Sequence, residues 1–259
     1  MSDATTKEPA AADAANGKAN TERSLPAMYE TVSVLSAGLH GDLRFTPANK
    51  FPGAAGLNAI IVAAAEFPEA ALHYPIVFSE QGDKHAAHVI TGHTTGENRF
   101  VEKSGKWRTG AYIPAYVRRY PFILVEDTEQ DKLTLAADLK SRWFGDKKGE
   151  PLFEDGKPSE TAQNAFKFCT TYHRQLLETD VLLGQIAETG ILVERNADVT
   201  LPDETKRRIT GFKVVDEQKL GELDDETFLS LRKNGALSLI YCHLISMRNW
   251  RNIAAATAK

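Results

Sequence analysis

One short segment concentrates the residue types that commonly bind other molecules. Residues 107–127, WRTGAYIPAYVRRYPFILVED, contain one tryptophan, three tyrosines, three arginines and two prolines. A guanidinium can bind a carboxylate or phosphate through two parallel hydrogen bonds, and aromatic residues beside arginines are common at the centre of protein interfaces. The candidate residues for binding a ligand or partner are therefore Trp107, Tyr112, Tyr116, Arg118 and Arg119.

This segment has two interpretations that the sequence leaves open. In the first, the aromatic residues line the wall of a cleft and the arginines bind a carboxylate, a phosphate or an acidic group of a partner. In the second, the aromatic residues cover a sheet edge, and the arginines lie over them or pair with surface acids. Each exposed ion pair then contributes less than about 1 kcal/mol.

The two prolines predict the local structure of the segment. Pro114 suits the first position of a helix, whereas Pro121 disfavours helix at the residue before it. Residues 114–119 are therefore predicted to form one to two helical turns, and residues 122–127 a strand. Because Ile113 at the cap position has no side-chain oxygen, we expect packing to hold this turn.

A second candidate pair is His73 and Tyr74, in the run HYPIVF. In the mouth of a cleft these side chains could transfer protons as an acid and a base. Together with an anion bound by Arg118 and Arg119, they would make the protein an enzyme or a small-ligand-binding protein. A buried histidine with satisfied ring nitrogens is the alternative.

Other motifs predict neither a metal nor a cofactor. His85, His88 and His93 lie within nine residues. On a strand, however, the first two point to opposite faces, which is poor spacing for a metal site. The run KSGKWR lacks the first glycine and the Ser or Thr of a phosphate-binding loop. We therefore predict no bound metal and no cofactor.

Composition narrows the class of protein. The 259 residues carry a net charge of −4, so no broad basic surface for nucleic acid is predicted. Cys169 and Cys242 lie in apolar helical patterns, which suggests free thiols in a reduced compartment. The N-terminus lacks the apolar run of a secretory signal, and residues 59–65 and 236–247 are too short to span a bilayer. The expected location is the cytoplasm.

The elements that must position these residues suggest one domain. Residues 1–27 are predicted to be a disordered tail, and residues 28–259 a single domain. Short β-type runs fill the first half. A helical pattern then covers 158–189, followed by strand patterns at 190–194 and 208–217 and by helices at about 224–234 and 236–254. The fold class is α+β: a mostly antiparallel sheet from the N-terminal half, packed with one long helix and C-terminal helices.

Four segments, in order, resemble the SapC family of bacterial proteins. They are HYPIVF (73–78), ENRFVEKSGKWRTGAYIPAYVRRYPFIL (97–124), EPLFEDGKPSE (150–160) and ITGFKVVDEQKLGELDDETFLSLRKNGALSLIYCHLISMRNW (209–250). The family is named for its association with a surface-layer protein locus. The resemblance supplies no catalytic residues. A peptide-transporter permease subunit carries the same name, but the apolar runs of this chain are too short for such a protein.

The resemblance implies an accessory role in a bacterial cell-envelope or surface-layer system. We expect a soluble binding protein inside the cell, whose aromatic and arginine-rich segment contacts a protein partner or a small anionic ligand. No nucleic acid, no membrane span and no particular oligomeric state is indicated.

Overall fold

The computed structural model describes residues 25–127, 132–145, 147–200, 204 and 206–255. The strands of the described residues are β1 (Val32–Val34), β2 (Arg44–Phe45), β3 (Ala59–Val62), β4 (Ile76–Gln81), β5 (Lys84–Ile90), β6 (Phe122–Asp127), β7 (Lys132–Asp138), β8 (Phe144–Gly145), β9 (Glu150–Pro151), β10 (Phe153–Glu154), β11 (Lys157–Pro158), β12 (Leu192–Thr200) and β13 (Lys206–Val215). The α-helices are α1 (Ala37–His40), α2 (Phe67–Ala70), α3 (Ala115–Arg118), α4 (Glu160–Glu188), α5 (Glu217–Gly221), α6 (Asp225–Asn234), α7 (Ala236–Ser246) and α8 (Trp250–Ala255). Short 3₁₀ helices cover Pro52–Gly56, Ala64–Glu66 and Met247–Asn249.

The largest sheet has five antiparallel strands in the order β12-β13-β4-β5-β3. The hairpin between β4 and β5 turns through Gly82, whose φ of +58° favours glycine. The strands β12 and β13 come from the C-terminal half and join the sheet where Lys213 lies opposite Phe78. Pairing across more than 130 residues thus adds two C-terminal strands to a sheet that we predicted from the N-terminal half.

The remaining strands of the first half form separate sheets. A second antiparallel sheet has the order β1-β7-β6, and shorter strands form the sheets β8-β2-β9 and β10-β11. Asp138 is 1% exposed. Its carboxylate accepts hydrogen bonds of 3.0 Å from the backbone N–H groups of Glu30 and Thr31, which fixes the chain just before β1. The α+β class is confirmed, with the N-terminal strands divided among several sheets.

The long helix α4 packs against both the five-stranded sheet and the β1-β7-β6 sheet. Its 29 residues span about 43 Å. Ser159 caps its start by accepting from the Ala162 N–H, and Gly190, with φ +73°, follows its end, as the sequence predicts. The helix packs on β5 of the five-stranded sheet and on β6 of the β1-β7-β6 sheet. Its middle turns, residues 168–175, lie beside residues 112–118, which belong to the segment between β5 and β6.

The C-terminal helices close the main core. Asp224 caps α6 by accepting a hydrogen bond of 2.8 Å from the Thr227 N–H. The predicted helix over 236–254 is present as α7 and α8 with a 3₁₀ turn between them. His243 of α7 accepts from the Val215 N–H and lies 2.7 Å from the Ile76 carbonyl oxygen, which ties α7 to β13 and β4. None of the helices in the described part of the chain is long and apolar enough to cross a membrane.

The tail and domain boundaries stay predictions. Residues 1–24 of the predicted tail lie outside the described residues. Within the last part of that tail, Ala27 accepts a hydrogen bond from the Tyr116 hydroxyl over 2.7 Å.

Candidate functional site

The helix α3 ends at Arg118, Arg119 is the cap residue that follows it, and a carboxylate from another element holds the start of the helix. Pro114 has φ −56° and ψ 145°, so it is the cap residue, and the helix begins at Ala115, one residue later than predicted. The Ala115 N–H donates to Glu66 Oε1 over 2.7 Å. Glu66 therefore supplies the oxygen that the local chain lacks, where we expected packing alone.

Glu66 lies at the end of a 3₁₀ helix and is only 6% exposed. Its Oε2 accepts from the Ala63 N–H over 2.8 Å, and its Oε1 also accepts from the Tyr112 hydroxyl over 2.9 Å. Together with the bond from Ala115, three hydrogen bonds offset the cost of burying this carboxylate. Glu66 thus fixes the segment before α3 as well as the helix itself.

Tyr112 links the buried Glu66 to the exposed Arg118. Arg118 Nη2 donates to the Tyr112 hydroxyl over 3.0 Å, and Arg118 Nε donates to the Ile113 carbonyl oxygen over 2.9 Å. Burial, with the negative charge of Glu66, raises the pKa of Tyr112 to about 12, so the phenol keeps its proton at neutral pH. The Arg118 guanidinium is therefore held in one orientation although its side chain is exposed.

A small cleft of about 170 Å³ lies between Arg118 and the middle of α4. Its polar lining consists of Glu66, Tyr112, Arg118, Thr171, Tyr172 and Gln175. The apolar part of the lining is Phe168 with two alanines, Ala65 and Ala115. The Arg118 guanidinium carbon also lies 5.5 Å from the centre of the Phe168 ring, so the arginine spans from α3 to α4 across this cleft.

Tyr172 contributes a polar group that the fold does not satisfy. The residue is 2% exposed, and its hydroxyl has no hydrogen-bond partner among the described residues. Its ring packs with Ala63 and Ala115. Burial raises the pKa of Tyr172, so the hydroxyl stays protonated and able to donate. Buried polar groups are normally paired, so this enclosed hydroxyl is a cost to the stability of the fold.

Arg119 lies among aromatic rings, unlike its exposed neighbour Arg118. Its guanidinium carbon is 4.7 Å from the ring centre of Tyr116, 5.4 Å from that of Tyr172 and 5.6 Å from that of Tyr29. Its Nε is buried without a hydrogen-bond partner, and none of the ion pairs of the described residues involves it. This arrangement resembles the second interpretation of the sequence, in which an arginine lies over aromatic rings. The two arginines therefore do not form a shared fork.

Trp107 and Tyr74 lie in the main core behind the cleft. Trp107 is 6% exposed and Tyr74 is fully buried. Trp107 Nε1 donates to the Tyr74 hydroxyl over 3.1 Å, and that hydroxyl donates to the Tyr112 carbonyl oxygen. His73 is half-buried, with its ring centre 6.0 Å from that of Tyr74. Trp107 and Tyr74 thus position the backbone of Tyr112, and the cleft lining includes neither residue nor His73.

Comparison with known proteins adds one finding. The SapC family model matches residues 35–253, a span that includes every residue of the cleft. The chain belongs to the SapC family. No curated protein and no solved structure matches it.

The three candidate histidines of this SapC-family chain have separate surroundings. His85 Nδ1 lies 3.6 Å from Asp180 and His93 Nδ1 lies 2.9 Å from Glu97. His88 is buried within β5, and burial lowers its pKa to about 4. Across the described ranges, no group of three or more His, Cys, Asp or Glu side chains is placed to hold a metal ion.

Sequence reasoning missed Glu66 as part of this SapC-family cleft. The only signal was an acid within the apolar run AIIVAAAEF, at residues 59–67. Tyr172 and Phe168 lie within the helical pattern predicted over residues 158–189, as part of its apolar spacing. Their place in the cleft depends on α3 packing over this part of the helix.

Proposed function

We propose that this SapC-family chain is a non-catalytic binding protein, working in the cytoplasm as an accessory of a bacterial cell-envelope or surface-layer system. It captures a protein partner or a small anionic ligand through the surface around Arg118. The observation that carries the proposal is an exposed guanidinium, held in place by two hydrogen bonds at the rim of a cleft. The accessory role rests on the association known for the family.

The fixed orientation of Arg118 supports a recognition role. A guanidinium has five N–H donors, and the two bonds to Ile113 and Tyr112 use one on Nε and one on Nη2. The Nη1 atom donates to no described residue. Because the side chain is already ordered, less conformational entropy is lost when an anion binds than for a free arginine.

The size of the cleft favours binding over catalysis. Sites that enclose a whole small molecule typically hold about 300–1,000 Å³. The cleft here holds about 170 Å³, which suits one functional group of a larger molecule. An anchor of this size fits a partner that rests mainly on the surrounding surface.

The alternative, an enzyme using His73 and Tyr74, gains no comparable support. The Tyr74 hydroxyl accepts from Trp107 and donates to the Tyr112 carbonyl oxygen. Both hydrogen-bonding roles are therefore used inside the core, and a proton transfer to a substrate would have to break them.

The test is affinity capture from the native cell, with mass spectrometry of the proteins and small molecules retained. Wild-type protein is compared with Arg118→Ala and with Arg232→Ala. Arg232 is an exposed arginine of α6 outside the cleft lining, so its loss changes the net charge equally. We expect one or a few molecules to be retained by wild type and Arg232→Ala and lost with Arg118→Ala.

Two outcomes contradict the proposal. Retention of the same molecules by Arg118→Ala would remove this residue from the binding surface. Chemical conversion of a retained small molecule by the purified protein would replace the binding role with a catalytic one.

A further inference from the structure

We propose that the outer side of α4 is a self-association surface, on which two copies of this chain pair as a weak antiparallel dimer. The surface, called the α4 stripe below, consists of Phe166, Thr170, Leu177 and Val181. This interaction is additional to the proposed function, because the α4 stripe lies away from the Arg118 cleft.

Three large apolar side chains of the α4 stripe are left uncovered by the rest of the fold. Phe166 is 40% exposed, Leu177 is 51% exposed and Val181 is 62% exposed. The Thr170 hydroxyl donates to the Phe166 carbonyl oxygen over 2.8 Å, so this donor needs no partner from another element. Steps of four, seven and four residues keep all four side chains on one side of the helix. An exposed apolar row of this kind is typical of an interaction surface.

The α4 stripe points away from the cleft beside α3. Leu177 follows Phe168 by nine residues, so at about 100° per residue it lies on the opposite side of the helix. The residues with which α4 lines the cleft are Phe168, Thr171, Tyr172 and Gln175. Two copies that pair along the α4 stripe therefore leave both clefts open.

The charges beside the α4 stripe favour a second, antiparallel copy as its occupant. Lys167 and Glu178 are exposed and lie 11 residues apart, which places them on the same flank of the helix. None of the ion pairs in the described part of the chain involves Lys167. Around a two-fold axis that makes the helices antiparallel, equal flanks meet, so Lys167 of each copy approaches Glu178 of the other. A parallel pair would hold these two groups about 16 Å apart along the helix axis.

The same pairing also brings the apolar side chains of the two copies together. With the two-fold axis between residues 173 and 174, Phe166 lies opposite Val181 of the other copy, and Thr170 lies opposite Leu177. The contact then runs over residues 163–184, a length of about 33 Å. With a width of about 10 Å, the two copies together bury about 660 Å². This is below the roughly 1,200 Å² of stable complexes, so we expect a dissociation constant on the order of 100 μM.

Sedimentation equilibrium of the full chain, from about 5 μM to about 1 mM, tests the dimer. We expect the average mass to rise from that of a monomer towards that of a dimer. Leu177→Glu places a charge in the contact and should raise the dissociation constant at least about tenfold. Leu72→Glu is the matched control, because Leu72 is 53% exposed and lies outside α4, so the same change there should leave the dissociation constant unaltered. Circular dichroism melting shows that both variants are folded.

A charge exchange tests the antiparallel register. Lys167→Glu and Glu178→Lys each set like charges against each other across the dimer, and each should raise the dissociation constant about threefold or more. The double variant restores opposite charges at the same two places, so its dimer should be tighter than that of either single variant.

Four outcomes overturn the proposal. They are a mass that stays monomeric up to about 1 mM, equal weakening by Leu177→Glu and Leu72→Glu, no weakening by Leu177→Glu, and a double charge variant no tighter than the single ones. If the wild type stays monomeric but Leu177→Glu loses a protein captured from the native cell, the α4 stripe binds a different partner and the dimer is refuted. Capture through Arg118 is unaffected by any of these results, so the proposed function is tested separately.

Discussion

Replacing Glu66 by Gln tests how the candidate site is built. The carboxylate accepts from two backbone N–H groups, those of Ala63 and Ala115, through different oxygens. An amide has only one oxygen, so in either orientation its NH₂ group faces one of these donors. Glu66→Gln therefore leaves one buried N–H without an acceptor and places two donors in contact.

The expected loss follows from these contacts. An unsatisfied buried donor costs about 1–3 kcal/mol, and removing a buried charge returns part of its desolvation cost. We therefore expect Glu66→Gln to lower the free energy of unfolding by about 2 kcal/mol. For a domain of this size, the melting temperature would fall by about 4–8 °C.

Unfolding in urea, followed by circular dichroism, measures the change. Glu69→Gln is the matched control, because Glu69 is exposed on the following helix α2 and the same chemical change there should cost less than about 0.5 kcal/mol. If both variants unfold at the same urea concentration, Glu66 does not hold α3. The cleft would then not depend on the hydrogen bonds of Glu66.

Three further predictions concern the surroundings of the site. Arg119→Ala should lower the free energy of unfolding by about 3 kcal/mol, through lost packing among three tyrosine rings, whereas Arg118→Ala should lower it by less than about 1 kcal/mol. Equal losses of unfolding free energy for the two variants, measured in urea, would contradict the different burial of Arg118 and Arg119. Burial lowers the pKa of His88 and His243 from 6.5 to about 4. Between these pH values the two histidines are protonated in the unfolded chain but neutral in the folded protein. Stability should therefore be full above about pH 6.5 and fall towards pH 4, by on the order of 3 kcal/mol per histidine, and a level profile of unfolding free energy across this range would refute it. Burial raises the pKa of Cys169 to about 11, so iodoacetamide should modify the less buried Cys242 first, which peptide mass spectrometry of partly alkylated protein can check. Equal rates of alkylation would argue against the enclosed position of Cys169.

Local patterns predicted the elements of the fold well. The apolar spacing of three and four residues, with Ser159 at the start and Gly190 at the end, located α4 correctly. The strand patterns near 190–194 and 208–217 correspond to β12 and β13. The sheet to which these strands belong could not be predicted, because the contact of Lys213 with Phe78 joins distant parts of the chain.

The site depends on tertiary contacts that local patterns do not contain. Glu66 caps α3 from 49 residues away in the chain. Arg118 and Arg119 are neighbours in sequence but differ by about 100° around the helix axis. The way in which α3 packs on α4 thus decides that Arg118 is exposed and that Arg119 lies among tyrosine rings.

The most direct test of the account is the dissociation constant of the captured partner or ligand, measured by calorimetry with wild type, Arg118→Ala and Arg232→Ala. We predict a dissociation constant at least about tenfold higher for Arg118→Ala, with the melting temperature within about 2 °C of wild type and no change for Arg232→Ala. An unchanged dissociation constant for Arg118→Ala would contradict the central claim that this guanidinium is the recognition group.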